Sequence, residues 1–203
     1  MLGLPKSTEI AKQLPKKAIF QKFELKPAQR DHFDADISKM VIVNAISQNT
    51  LPALQRGETV DTIYVVDVAL KRQDYDEKNI QMLSKLIHQR ILFALHFKDE
   101  IQLVIYHTKL LCGDWIKEDE YELQLSGTTT DAVWENLVKS IGNIEVEGGN
   151  TLVEQIVIDT EREKLRQQIL SLEAKARQEK QPRRKLEMFE ELKRMKESLN
   201  DNQ

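Results

Sequence analysis

The chain has 203 residues, of which 40% are hydrophobic, 31% charged and only 6% aromatic, enough for one ordinary domain with an appendage but not for two full domains. It has no apolar run of the roughly 18 residues a membrane span needs, and Met1-Leu-Gly-Leu-Pro-Lys lacks a basic-then-apolar signal layout, so spanning and secretion are disfavoured and a cytoplasmic protein is expected. The net charge of −3 hides a split: residues 151–203 carry 12 Lys/Arg and 11 Asp/Glu with no Gly, Trp or Tyr, leaving a body at −4 and a tail at +1.

In chain order, residues 1–17 read as a lead-in, with Ser7-Thr8-Glu9 able to open a short helical stretch. Ala18–Leu25 fits a short helix or an irregular strand, since its apolar residues follow neither period cleanly. After Pro27 the run to Met40 reads as a helix with Phe33, Ile37 and Met40 on one side. Met40–Ile46 is β-branched and apolar and predicts a strand. A longer strand over Thr59–Leu70 puts Asp61, Ile63, Val65, Asp67 and Ala69 on one face.

The spacing of Ile80, Leu83, Leu86 and Ile87 predicts a helix over Asp76–Gln89. Arg90–Phe97 and Glu100–His107 flank Lys98-Asp99 as a hairpin, although that pair lacks the glycine a tight turn prefers. Tyr121–Leu125 alternates like a strand. Thr130-Asp131 then caps a helix built on Val133, Trp134, Leu137, Val138 and Ile141 and closed by Gly142. Glu147-Gly-Gly-Asn150 is the clearest linker, which divides the chain into a domain at 1–150 and a tail at 151–203. The body is expected to be α+β: a mixed, largely antiparallel sheet of about five strands with helices on one face.

In the tail, Leu152, Ile156, Leu165, Ile169, Leu172 and Ala176 form one apolar stripe, and Leu186, Phe189, Leu192, Met195 and Leu199 form another. Pro182 lies between them and must break or kink the helix. Either the halves fold back as a helical hairpin or one kinked, coiled-coil-like helix reaches out to a partner chain. Self-closure needs no partner, which favours the hairpin. Leu165, Ile169, Leu172, Leu186, Phe189, Leu192 and Met195 are the candidate partner-binding residues.

Arg183, Arg184 and Lys185 would occupy the first turn of the second helix, where the macrodipole disfavours cations. With Arg177 and Lys180 they put five cations in nine residues, and with Lys16 and Lys17 they are the candidate nucleic-acid contacts, against the plainer reading of a solvated bend.

Catalytic chemistry is hard to find. Neither phosphate-binding glycine motif occurs, the four histidines form no H-x-x-x-H pair, and one cysteine supports no zinc ribbon, so no cofactor, no metal and no catalytic residue is assigned. His96 and His107 fall out of register across the hairpin. Asp61, Asp67 and Lys71 resemble a metal-dependent nuclease triplet only loosely, because the final spacing is four rather than two. Cys112-Gly-Asp reads as an incidental cysteine in a loop.

Several short segments carry a resemblance. They are Leu2-Gly-Leu-Pro-Lys6, Pro15-Lys-Lys17, Asp36-Ile-Ser-Lys-Met40, the strand at 63–71 ending Leu-Lys, and Ile91-Leu-Phe93. Tyr106 to Lys109, Trp115, the Leu-x-Leu-x-Gly at 123–127, Trp134-Glu-Asn-Leu-Val138, and the Glu179-Lys-Gln, Arg184-Lys and Glu191-Leu-Lys runs continue it. As a set they resemble the uncharacterised bacterial and archaeal family known as domain of unknown function 4391. The resemblance implies an accessory protein encoded beside helicases and DNA methyltransferases in restriction-like or phage-defence gene clusters. It supplies no catalytic residue. The expected function is a non-catalytic adaptor that partners a helicase or methyltransferase subunit, or itself, through its tail. Nucleic-acid binding near Pro182 is the alternative, and a Mg²⁺-dependent nuclease comes third.

Overall fold

Six strands, β1 (Glu9–Gln13), β2 (Ile37–Ile46), β3 (Ile63–Leu70), β4 (Arg90–Phe97), β5 (Glu100–Tyr106) and β6 (Leu110–Lys117), form one sheet whose spatial order equals the chain order. This architecture is that of a computed structural model that describes residues 2–120 and 122–201. Only β3 and β4 pair in parallel, and every other neighbour is antiparallel. The parallel pair is joined by a crossover through helix α3 (Glu77–Leu83), as a parallel connection requires. The α+β class expected from the sequence therefore holds, with six strands in place of about five.

Helix α1 (Lys16–Lys22) resolves the ambiguous 18–25 segment. Helix α2 (Pro27–Asp36) stops four residues short of its expected end, because Ile37 and Met40 are fully buried as β2 residues. Phe33, Ile80 and Leu83 pack with Met40, Ile42, Val66, Val68, Phe93 and Leu95 in the core between these helices and the sheet. Helix α3 is half its expected length. The Leu86 carbonyl, which a longer helix would have used, accepts from Lys22, and Leu86 and Ile87 still pack on the core.

Most helical cover lies on that face. Leu111 pairs with Ile105, next to a Val104 that faces the α1–α3 core, so Leu111 points to the opposite side of the sheet. Helix α4 (Thr130–Gly142) packs there: a Cβ on Gly113 would lie 3.8 Å from Ile141, and one on Gly142 would lie 3.1 Å from Leu111. Helix α4 is capped by Thr129, whose hydroxyl accepts from the Ala132 amide, and ends at Asn143 in the left-handed region at φ 47° rather than at Gly142.

Further expectations change. Residues 122–125 form no strand, and Tyr121 lies outside the described residues. Cys112 sits in β6, not in a loop, and the lead-in contributes β1 after a 3-10 turn at Lys6–Thr8. The hairpin turn needs no glycine because Lys98 itself adopts φ 57°.

Two carboxylates fasten the loops. Asp36 is fully buried. Burial alone would raise its pKa, but the Asp76 amide, Arg72 and Asn79 outweigh that and hold it below the ordinary carboxylate range. Asp131 fills a nest of backbone amides, accepting from Glu58 and Val60 at 2.7 Å each and from the Thr59 amide and hydroxyl. Gly57 makes room for it, since a Cβ there would meet the Asp131 carboxyl carbon at 2.5 Å.

The chain divides into the units Met1–Glu145 and Val146–Gln203, five residues earlier than the glycine linker implied. The second unit holds α5 (Leu152–Gln178) and α6 (Pro182–Asp201). Thr151 and Glu154 form a reciprocal capping box at the start of α5. The two helices fold back on each other as a hairpin, the geometry preferred from sequence.

Candidate functional site

On the sheet face that carries α4, no residue of that helix reaches the far end, and a cleft of about 390 Å³ opens there. Strand register builds it. Asp67 pairs with Ala94 across the parallel β3–β4 junction, and His96, two residues further on, pairs with Ile101 of β5. Leu2, Ile10, Ala11, Val43, Ala94 and Ile101 give it an apolar lining, and Glu9, Asn44, Asp67, His96 and Glu118 supply its polar groups.

His96 is held between two carboxylates. Its Nε2 lies 2.9 Å from Asp67 Oδ2 and its Nδ1 lies 3.4 Å from Glu118 Oε2, with only 20% of the side chain exposed. The contact with Asp67 raises the imidazole pKa. Burial opposes the rise, and the charges of Asp67 and Glu118 add to it. Beside this trio, Asn44 is buried and donates from Nδ2 to Thr8 Oγ1 at 2.8 Å. The Thr8 hydroxyl proton is already given to the Pro5 carbonyl at 2.7 Å, so Thr8 can only accept from Asn44. That fixes the amide orientation and leaves Asn44 Oδ1 without a partner among the described residues.

Sequence reasoning singled out Asp67 and His96 but did not bring them together. The available signal was one polar residue near the end of each of two apolar strands, and it becomes legible only once β3 and β4 are known to be adjacent and parallel. The nuclease-like trio does not converge. Asp61 lies outside β3 and pairs with Arg56 at 2.8 Å, while the Lys71 ammonium donates to the Asp34 carbonyl at 2.5 Å. Among the described residues, no group of three His, Cys, Asp or Glu side chains is arranged to hold a metal ion.

His107 accepts from the Trp134 indole at 3.2 Å, and burial together with Arg90 lowers its pKa. As register implied, it stands at the other end of the hairpin from His96. Cys112 lies 3.9 Å from the Tyr75 hydroxyl, and burial pushes its thiol up to about 11. Tyr75 donates to Gln102, which donates to the Gly113 carbonyl, so this group ties β5 and β6 to the segment leading into α3.

In the tail unit, Leu165, Ile169, Leu172 and Ala176 of α5 meet Met188, Leu192, Met195 and Leu199 of α6. Both series step by four, three and four, so each helix presents one continuous seam. The link between the helices uses no glycine. Glu179 is extended, its carboxylate accepts from the Gln181 amide at 2.8 Å, and Pro182 begins α6, where its missing N–H costs nothing.

Of the seven candidate partner-binding residues, Leu165, Ile169, Leu172, Leu192 and Met195 are used in this seam, and Met188 joins them. Leu186 and Phe189 remain outside at 62% and 49% exposure, with Leu170 at 58%. Phe189 shares a shallow groove with Glu173, Arg177, Lys193, Lys196 and Glu197, while Leu186 and Leu170 are exposed outside it, Leu186 on the bend side and Leu170 on the other.

The candidate nucleic-acid residues have different neighbours. Lys16 is committed to Asp34 and to the Ile37 carbonyl, both at 2.5 Å, and Lys17 is exposed. Arg183 is 92% exposed and has a single long contact, 3.3 Å, to Glu187. Arg184 lies close enough to Glu179 to lower its pKa, behind the larger effect of the Gln181 amide. No acidic residue occupies the first turn of α6, so the basic cluster around the bend is as exposed to the helix dipole as the sequence indicated.

No helix among the described residues is long and apolar enough to cross a membrane. A family model described as "Domain of unknown function (DUF4391)" matches residues 2–199. No curated protein and no solved structure matches the chain.

Proposed function

The chain belongs to the family of domain of unknown function DUF4391, and from that premise and the hairpin geometry we propose that it is a cytoplasmic, non-catalytic adaptor that docks a partner protein on its helical tail. One observation carries this reading: the hairpin closes its own apolar seam and still exposes Leu170, Leu186 and Phe189, with Phe189 in a shallow groove between the helices. Large apolar side chains that folding of the hairpin does not require support a docking surface around Phe189.

The occupant is an amphipathic helix of the partner, with apolar anchors three or four residues apart and acidic residues beside them. The complementary charge comes from the bend: the groove itself is mixed, with Lys196 paired to Glu173 and Lys193 to Glu197, while Arg177 in it and Lys180, Arg183, Arg184 and Lys185 toward the bend supply the basic surplus. A coiled-coil-like packing of this third helix against the pair suits the exposed positions. The resemblance to accessory proteins of restriction-like and phage-defence clusters makes a helicase or DNA methyltransferase subunit the partner of choice.

Co-expression with a helicase or methyltransferase subunit, where one is encoded beside this gene, tests the reading. The subunit is expected to co-purify with the intact chain and to be lost from Leu186→Asp/Phe189→Asp. Retention by that variant would move the interface off the groove. Nucleic-acid binding through the basic cluster is the competing outcome. It would appear as an affinity that falls steeply with salt and collapses on charge reversal of Arg183 and Arg184, with no protein partner retained.

A further inference from the structure

The cleft in the body carries an inference separate from the tail. Every polar group left over after the internal contacts are counted is an acceptor. His96 faces a carboxylate at each ring nitrogen, and the Asn44 amide nitrogen is spent on Thr8. What remains toward the cleft is Asn44 Oδ1, which has no partner among the described residues, together with oxygens of Asp67, Glu118 and Glu9. A protonated His96 offsets one of those three carboxylates, so the cleft is net negative. The rest of its lining is apolar.

We propose that this cleft, floored by Val43, Ala94 and Ile101 and edged by Asn44, Asp67 and Glu118, is a binding site for a small amphipathic organic cation, an amine or amidinium on an aromatic or alkyl body. Asn44 Oδ1 stays open to the cleft with no donor from the described residues, so a cationic N–H donor can bond it while meeting the carboxylates. The apolar floor takes the ligand body, and about 390 Å³ is within the range of small-molecule sites. The same charges repel phosphates and carboxylates, so nucleotides and organic acids are excluded. Ordered carboxylates around one histidine do not make a metal site here, because both imidazole nitrogens already face acid oxygens.

Calorimetric titration of the full chain at neutral pH with 2-phenylethylamine and tryptamine, against the neutral 2-phenylethanol and the anionic 3-phenylpropanoate, tests this. Both amines are expected to bind at least about tenfold more tightly than the alcohol, and the acid not to bind. Two variants locate the site: Asp67→Asn removes a carboxylate, and Ala11→Phe fills the mouth from the exposed side of β1 without touching the His96 contacts. Each should weaken amine binding by about tenfold or more. Failure of both amines to bind at millimolar concentration, equal binding of the acid, or amine binding unchanged in Ala11→Phe would overturn the proposal.

Discussion

His96 sits on the sheet between Asp67 and Glu118, and that placement makes folding stability depend on pH in a definite direction. Its pKa is raised in the folded state, so its contribution is fully present below the ordinary histidine value of about 6.5 and is lost as pH climbs through the raised folded value. Thermal melts of wild type and His96→Asn should therefore differ most just below about pH 6.5 and converge as pH rises through the raised folded value. His107, whose shift has the opposite sign, is present in both proteins and cancels from the comparison. A gap that widens with rising pH would contradict the assignment. Cys112 gives a second residue-scale expectation. With its thiol pushed up to about 11, alkylation of the solvent-exposed Cys112 by iodoacetamide near pH 8 should run about tenfold or more slower than for a free cysteine of pKa about 8.5, the smaller thiolate fraction outweighing the greater nucleophilicity of a more basic thiolate. A rate like that of free cysteine would show that its surroundings in β6 do not hold the thiol protonated.

At the scale of elements, the tail shows how far periodicity carries. The α5 stripe of Leu165, Ile169, Leu172 and Ala176 is legible in sequence, because the residues sit on one face of one uninterrupted helix. The α6 stripe is legible only in part. Leu192, Met195 and Leu199 lie in the seam as their spacing indicates, but Met188 displaces Leu186 and Phe189. Spacings of three drift around a helix, and the repeat of four, three and four that tracks α5 selects Met188. The distinction has a mutational signature. Leu192→Ala, at a buried seam position, should cost about 2–5 kcal/mol in the stability of the hairpin, read from urea unfolding followed by helical circular dichroism. Leu186→Ser should change it by no more than about 0.5 kcal/mol. Equal losses would mean that Leu186 also belongs to the seam.

For the whole molecule, the sequence discloses the class of fold and the separate charged tail, and it misses what depends on pairing. β1 and β6 escape notice because Glu9–Gln13 holds only Ile10 and Ala11 as apolar residues, and the apolar residues of Leu110–Lys117 come in two clusters split by Gly113-Asp114 rather than in alternation. The cleft escapes with them. Its floor comes from β1, β2, β4 and β5 at once, and no local pattern records that Asp67 and His96 share a face across a parallel junction. The protein thus presents an acceptor-lined cleft in one unit and a shallow groove of mixed charge around Phe189 in the other. The most direct measurement of the adaptor role is the dissociation constant for the co-purifying subunit, compared between wild type and Leu186→Asp/Phe189→Asp, with circular dichroism confirming that α5 and α6 remain helical. The account predicts a loss of at least about a hundredfold, or about 2.7 kcal/mol, with helicity unchanged. An affinity equal to wild type would contradict it.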